Sequence, residues 1–172
     1  MSVRMRVGIG YDAHRLVVGR PLMLGGVRVE HSMGLEGYSD ADVLLHAVMD
    51  AMLGAAGMSD IGHHFPPGDE RFRNISSLSL LRTVRSMLDS EGWRVVNVDA
   101  TVMAESPRLA PHIGAMRKAI SSELGIEERE VGIKATTNEG LGFVGRGEGI
   151  AAQAVVLLMG QEEDDLEDKL GS

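Results

Sequence analysis

The chain has 172 residues, a length that suits one domain able to bury roughly 70% of its unfolded surface without staples. It has no cysteine, which excludes disulfides and thiolate metal sites and leaves His, Asp or Glu to hold any metal, a donor set that favours zinc or magnesium. The net charge of -8 comes without a basic block, which argues against a nucleic-acid surface, and no apolar run is long enough to span a bilayer.

Residues 4–11 alternate weakly and predict a first strand, and PLMLGGVRVE predicts a second strand or hairpin arm. The start, MSVRMRVGIG, lacks the apolar region of a signal peptide, so a soluble cytoplasmic protein is expected. SDADVLLHAVMDAMLGAA, residues 39–56, is the strongest helix signal, with Ser39 and Asp42 fitting a capping box and Gly57 a stop. Residues 58–75 are polar and carry a Pro-Pro-Gly turn, so they predict a loop. Residues 76–91 predict a second helix with Leu78, Leu81, Val84 and Leu88 on one face, ended by Gly92.

RVVNVDATVMAE predicts a long strand with Val96, Val98, Ala100 and Val102 on one side. Residues 111–124 predict a third helix with Ile113, Met116, Ile120 and Leu124 in phase and Pro111 in its first turn. EVGIKATT and IAAQAVVLLM complete the order β-β-α-α-β-α-β-β. That order predicts an α/β (α+β) sandwich, a mixed sheet with helices packed on one face. Aromatic residues are only 3%, so the core must be aliphatic. Residues 1–160 are expected to form a single catalytic domain, and residues 161–172 a dispensable acidic tail with too little apolar surface to order itself.

Asp12 and His14, in YDAHRL, stand at i and i+2 and face one side of a strand, which presents two ligands to one ion. A surface turn explains that pair alone as well. In the 39–56 helix the polar exceptions Asp42, His46 and Asp50 stand at i, i+4 and i+8 and form one stripe. Two readings are open: His46 is a core histidine satisfied by Asp50 or Asp42, or it is a third metal ligand whose second nitrogen a carboxylate orients. Asp12, His14 and His46 would leave the fourth tetrahedral position of a zinc open to substrate. His63 and His64 are competitors in DIGHHFPPGD, which reads as a substrate lid, while His31 and His112 have no evident partner. Thr136, Thr137 and Glu139 precede the glycine-rich run GLGFVGRGEG, which lacks P-loop spacing. They read either as a decorated turn or as a grip on a diphosphate and a harder cation such as magnesium.

Together, GYDAHRL, GGVRV, SDADVLLHAVMDAMLGA, DIGHHFP, NVDATVMAESPRLAPHI and KATTNEGLGFVGRGEGIAAQAV resemble the 2-C-methyl-D-erythritol 2,4-cyclodiphosphate synthase family, across residues 8–156. The resemblance implies a homotrimer with active sites between neighbours and a zinc on Asp12, His14 and His46. It implies that 4-diphosphocytidyl-2-C-methyl-D-erythritol 2-phosphate is converted to a cyclic diphosphate and CMP, with magnesium or manganese bridging the diphosphate near Glu139. The cytosine pocket falls on residues 104–110, hence Ala104, Pro107, Arg108, Leu109 and Ala110, with Thr136 and Thr137 at the phosphates. Asp60, Gly62, Phe65 and Asp69 fall around the erythritol. Asp12, His14, Ser39, Phe143 and Arg146 join the substrate contacts, and Tyr38, Thr137 and Glu139 the chemistry. Tyr11 and Phe143 would line an axial channel able to hold an isoprenoid diphosphate near Arg146, and Arg146 and Glu148 would pair with symmetry mates. The chain departs from the family at Tyr38, where a histidine is usual, at Arg108 for lysine, at Pro67 for an acid, and at Asn138. The same residues admit a zinc hydrolase, which would need a base to activate water, or a non-catalytic isoprenoid-diphosphate binder; turnover to CMP with the cyclic diphosphate would separate the synthase from both.

Overall fold

A computed structural model describes residues 4–160, so the acidic tail falls outside the described residues. Its main sheet has five strands in the order β4-β1-β7-β5-β6. They are β1 (Met5–Val18), β4 (Met33–Leu35), β5 (Trp93–Met103), β6 (Val131–Thr136) and β7 (Gly149–Gly160). β5 and β6 run parallel, and the other pairs are antiparallel, so the sheet is mixed. A hairpin of β2 (Leu22–Leu24) and β3 (Val27–Val29) stands apart from it. This is the α+β architecture the element order predicts.

The helices are α1 (Val43–Ala56), α2 (Ile61–His64), α3 (Ser77–Ser90), α4 (Ile113–Leu124) and α5 (Gly142–Gly145). α1 lies across β1 and β7, α3 packs on α1 and α4, and α4 reaches β6. With the sheet below it and α3 beside it, α1 is apolar almost all round, and Leu44, Leu45, Met49, Met52 and Leu53 are fully buried. Each such side chain contributes about 1.5–3 kcal/mol of hydrophobic stabilisation. The helix sits close to the strand because β1 offers glycine where the two meet. A Cβ on Gly8 would fall 2.0 Å from Ala51 O, and one on Gly10 1.9 Å from Ala47 O.

Four local expectations differ from the structure. β1 does not stop at Tyr11; it continues to Val18, because β7 pairs with it as far as Arg15 and the edge strand β4 pairs with residues 16–18. α1 begins at Val43, not Ser39: Ala41 has φ 58°, a left-handed conformation that breaks any helix between Ser39 and Asp42. The capping box is therefore absent, and Asp42 alone caps, accepting from Leu45 N at 3.1 Å. In β5 the register shifts between Val95 and Asn97, a bulge that puts Val95 rather than Val96 on the buried side with Val98, Ala100 and Val102. The predicted 58–75 loop also contains α2 and a 3-10 turn, Glu70–Phe72.

Asp42 does more than cap. Gly25 and Gly26, with φ of 59° and 76°, form the two-residue turn of the hairpin, and their N–H groups donate to the two Asp42 oxygens at 2.9 and 2.7 Å. The hairpin is thereby fastened to the start of the helix that carries His46.

Candidate metal centre

The helix-facing side of β1 reads Gly8, Gly10, Asp12, His14. The glycines meet α1 at Ala51 and Ala47, so the next residues of that row, Asp12 and His14, meet the N-terminal turn of α1 at His46. Asp12 Oδ2 lies 2.8 Å from His14 Nε2 and 2.9 Å from His46 Nδ1. The two nitrogens are 3.2 Å apart. Among the described residues this is the one group of three or more His, Asp or Glu whose ligand atoms all lie within 4.8 Å.

The surroundings orient both rings. His14 Nδ1 is 2.6 Å from Glu36 O, and a carbonyl only accepts, so Nδ1 carries the hydrogen and Nε2 turns its lone pair to the centre. Burial pushes the Asp12 carboxyl up, but the close contacts with the His14 and His46 imidazoles outweigh it and hold the group well below the usual carboxylate range. Burial pulls His14 down, yet the Asp12 carboxylate and the Glu36 carbonyl outweigh that and raise it. The three donors thus attract positive charge, and a borderline divalent ion such as zinc fits one carboxylate with two imidazoles.

Asp42 and Asp50, the other members of the expected stripe, do not orient His46. Asp42 is fully buried and turned to Gly25, Gly26 and Leu45, and Asp50 accepts from Ile61 N at 2.9 Å at the start of α2. His46 Nε2 faces two hydroxyls instead, Ser77 Oγ at 3.2 Å and Ser39 Oγ at 3.3 Å. No sequence spacing pointed to Ser77, which is 31 residues away. Arg20, also unforeseen, donates to Gly37 O and Ser39 O and holds the segment that brings Tyr38 and Ser39 to the site.

A cleft of about 250 Å³ opens on the centre, lined by Asp12, His14, Tyr38, Ser39, His46, Asp50, Gly62, Phe65 and Pro67 among others. The Tyr38 hydroxyl is buried and makes no hydrogen bond of ordinary geometry among the described residues, and the Arg73 guanidinium, which Tyr38 helps to keep charged, lies 5.6 Å from its ring centroid. Asp60 caps α2 by accepting from His63 N, and the Asp69 carboxylate is taken up by Arg71 at 2.6–3.1 Å. The His63 and His64 rings pack on each other and stay out of the metal group.

The second expected region forms where the parallel strands β5 and β6 end side by side. Ala104 N donates to Thr136 O at 2.9 Å, and Asn138 N to Glu105 Oε1 at 2.7 Å. Ala104 and Leu109 are buried, so they offer backbone groups, while Pro107, Arg108 and Ala110 sit in the same loop. Thr137 Oγ1 lies 3.3 Å from Glu139 Oε1, and Glu139 has φ 52°. Arg146 and Glu148 pair with each other within the chain at 2.8 Å, next to Phe143 and β7.

Comparison with known proteins converges on one group. The YgbB family model matches residues 5–159. The chain is 58% identical over 158 residues to the 2-C-methyl-D-erythritol 2,4-cyclodiphosphate synthase of Moorella thermoacetica, covering 92% of this chain and 97% of that one. It is 60% identical to the Symbiobacterium thermophilum protein of the same name, covering 91% and 100%. Among solved structures it is similar to the bifunctional IspDF from Campylobacter jejuni, with a TM-score of 0.90 and 41% identity over 94% of this chain but 44% of that one. It is also similar to Plasmodium falciparum IspF in complex with CDP, with a TM-score of 0.80 and 32% identity over 92% and 97%. The match runs from β1 to β7 and takes in Asp12, His14 and His46: the chain belongs to the YgbB family.

Proposed function

We propose that this chain is a metal-dependent 2-C-methyl-D-erythritol 2,4-cyclodiphosphate synthase, a phosphorus–oxygen lyase of isoprenoid biosynthesis. Its substrate is 4-diphosphocytidyl-2-C-methyl-D-erythritol 2-phosphate. An oxygen of the 2-phosphate forms a bond to the β-phosphorus of the same molecule. The bond from that phosphorus to the bridging oxygen breaks, and CMP leaves with the oxygen. The observation that carries the reading is the convergence of Asp12 Oδ2, His14 Nε2 and His46 Nδ1 on one wall of an open cleft, in a chain of this family.

The transfer is intramolecular, so holding the two phosphates together does most of the work. A zinc ion on the three ligands supplies a Lewis acid for a phosphate oxygen and offsets repulsion between the anionic groups. Tyr38, whose buried hydroxyl sits at the cleft, donates to a phosphate oxygen. Thr137 and Glu139 hold the diphosphate with magnesium or manganese, and Thr136 with the 104–110 backbone takes the CMP moiety. A hydrolase would need a base for water; Asp50, the other carboxylate lining the cleft, accepts from Ile61 N through Oδ1, and the products of the reaction separate the two readings.

The proposed working form is a homotrimer. Val7, Ile9 and Tyr11 are 67%, 63% and 56% exposed on the outer sheet face, an apolar stripe of the kind that marks an interface. The metal group lies on β1 and Thr136 on β6, three strand positions apart, or roughly 14 Å at about 4.8 Å per strand. They also alternate to opposite sheet faces, so one substrate meets both regions when a neighbour supplies the second. An isoprenoid diphosphate on the axis, near Tyr11, Phe143 and Arg146, belongs to the same reading, as do the single catalytic domain over residues 1–160 and a cytoplasmic location. The test is release of CMP together with the cyclic diphosphate by purified protein loaded with zinc. His46→Ala should reduce it roughly 100-fold or more, several kcal/mol of charge stabilisation being lost. Full activity in that variant would dismiss the site.

A further inference from the structure

We propose that Ser77 and Asp40 are positioning residues for the metal site: through a carboxylate–hydroxyl–imidazole relay they keep the hydrogen of His46 on Nε2, so that Nδ1 presents its lone pair between Asp12 and His14. This rests on the metal reading above and names the part of the fold that prepares one of its ligands.

The relay follows from an inventory of hydrogens. Asp40 accepts from Asp42 N and Ser77 N through its two carboxylate oxygens, at 3.2 and 2.9 Å. The Ser77 hydroxyl donates to the same carboxylate at 2.5 Å. A hydroxyl has one hydrogen, and that of Ser77 is committed to Asp40. Toward His46 Nε2, 3.2 Å away, Ser77 Oγ can therefore only accept, which places the imidazole hydrogen on Nε2. Ser77 is fully buried and His46 is 8% exposed, so water does not substitute readily for either partner.

Ser39 does not fix the ring in the same way. Its Oγ accepts from Ala41 N at 3.1 Å and keeps its own hydrogen free. It can therefore donate to a bare Nε2 as well as accept from Nε2–H. Without Ser77, His46 can move its hydrogen to Nδ1, where the Asp12 carboxylate at 2.9 Å accepts it. That tautomer has no lone pair for a metal. The orienting carboxylate of His46 is thus Asp40, reached through a serine, while His14 is oriented by the Glu36 carbonyl.

The test is Ser77→Ala in the full chain, with Ser121→Ala as control, since Ser121 is also buried but its hydroxyl donates to Lys118 O within α4. Two quantities are read. Zinc affinity comes from competition with a chromophoric chelator. The hydrogen position comes from nitrogen-15 spectra of labelled histidine in zinc-free protein at pH about 8.5, above the ordinary imidazole range, with His46 assigned by His46→Gln. Ser77→Ala should bind zinc roughly 10–100-fold more weakly and move the His46 hydrogen from Nε2 toward Nδ1. Asp40→Asn should act in the same direction, and Ser121→Ala should change neither quantity. Wild-type affinity in Ser77→Ala, or weakened affinity with the hydrogen still on Nε2, overturns the relay. If the wild type takes no zinc on these three residues, the metal reading fails by itself, and the nitrogen spectra still decide where the hydrogen sits.

Discussion

Gly10→Ala places the link between fold and site under direct strain. The added Cβ would lie 1.9 Å from Ala47 O, where real Cβ atoms essentially never come under 3.0 Å. The obstacle is a helix carbonyl, which no side-chain rotation can move. α1 and β1 must therefore part by about 1 Å, one turn from where His46 meets Asp12. Overpacking of this kind costs typically about 1–3 kcal/mol, and for a domain of this size each kcal/mol lowers the melting temperature by roughly 2–4 °C. Metal ligands are held within about 0.2 Å of their ideal distances, so a displacement near 1 Å should weaken zinc binding by roughly tenfold or more. Calorimetry and zinc titration of the variant read both effects. Gly114→Ala is the control: it adds a Cβ in a helix with nothing within 4 Å and should stabilise by about 0.5–1 kcal/mol. A Gly10→Ala protein with wild-type melting and full zinc affinity would refute the claim that glycine on β1 sets the depth of α1.

Tyr38→Phe removes a hydroxyl that faces the cleft beside Arg73, so CMP release should slow while melting temperature and zinc content hold; an unchanged rate would take Tyr38 out of the chemistry. Asp42→Ala removes the cap and strands the N–H groups of Gly25 and Gly26, and should destabilise by about 2 kcal/mol or more in denaturant titration. In the metal-free protein, the lowered carboxyl of Asp12 contributes stability that is present above the ordinary value of 3.8 and lost as pH falls through the folded value. The raised imidazole of His14 contributes stability that is full below 6.5 and lost as pH rises through its folded value. Their pairing should therefore stabilise most between about pH 4 and 6.5, a maximum that Asp12→Asn should flatten in a series of thermal melts.

Much of the site was legible because it rests on short periods. Asp12 and His14 share a strand face at spacing two, and His46 is a polar residue in an otherwise apolar helix. The family resemblance carried the rest of the assignment, and the comparisons bear out the family itself. The stripe Asp42, His46, Asp50 failed as a unit because helical spacing does not say where a helix starts. Asp42 proved to be the cap, and Asp50 found a partner in α2. Val96 was misread because a bulge inverts the alternation that exposes it, and β4 was missed because three residues carry no period. Ser77, Asp40 and Arg20 had no signal at all. Their roles arise from contacts across 17 to 37 residues, which only the folded chain brings together.

The central claim is that the cleft closes a ring rather than admitting water, and phosphorus-31 spectra of the reaction products test it most directly. Zinc-loaded protein with 4-diphosphocytidyl-2-C-methyl-D-erythritol 2-phosphate should give CMP and one cyclic diphosphate in equal amounts, the latter seen as two mutually coupled resonances. CMP accompanied by two uncoupled monophosphate resonances would mean hydrolysis at the same centre, and would contradict the account.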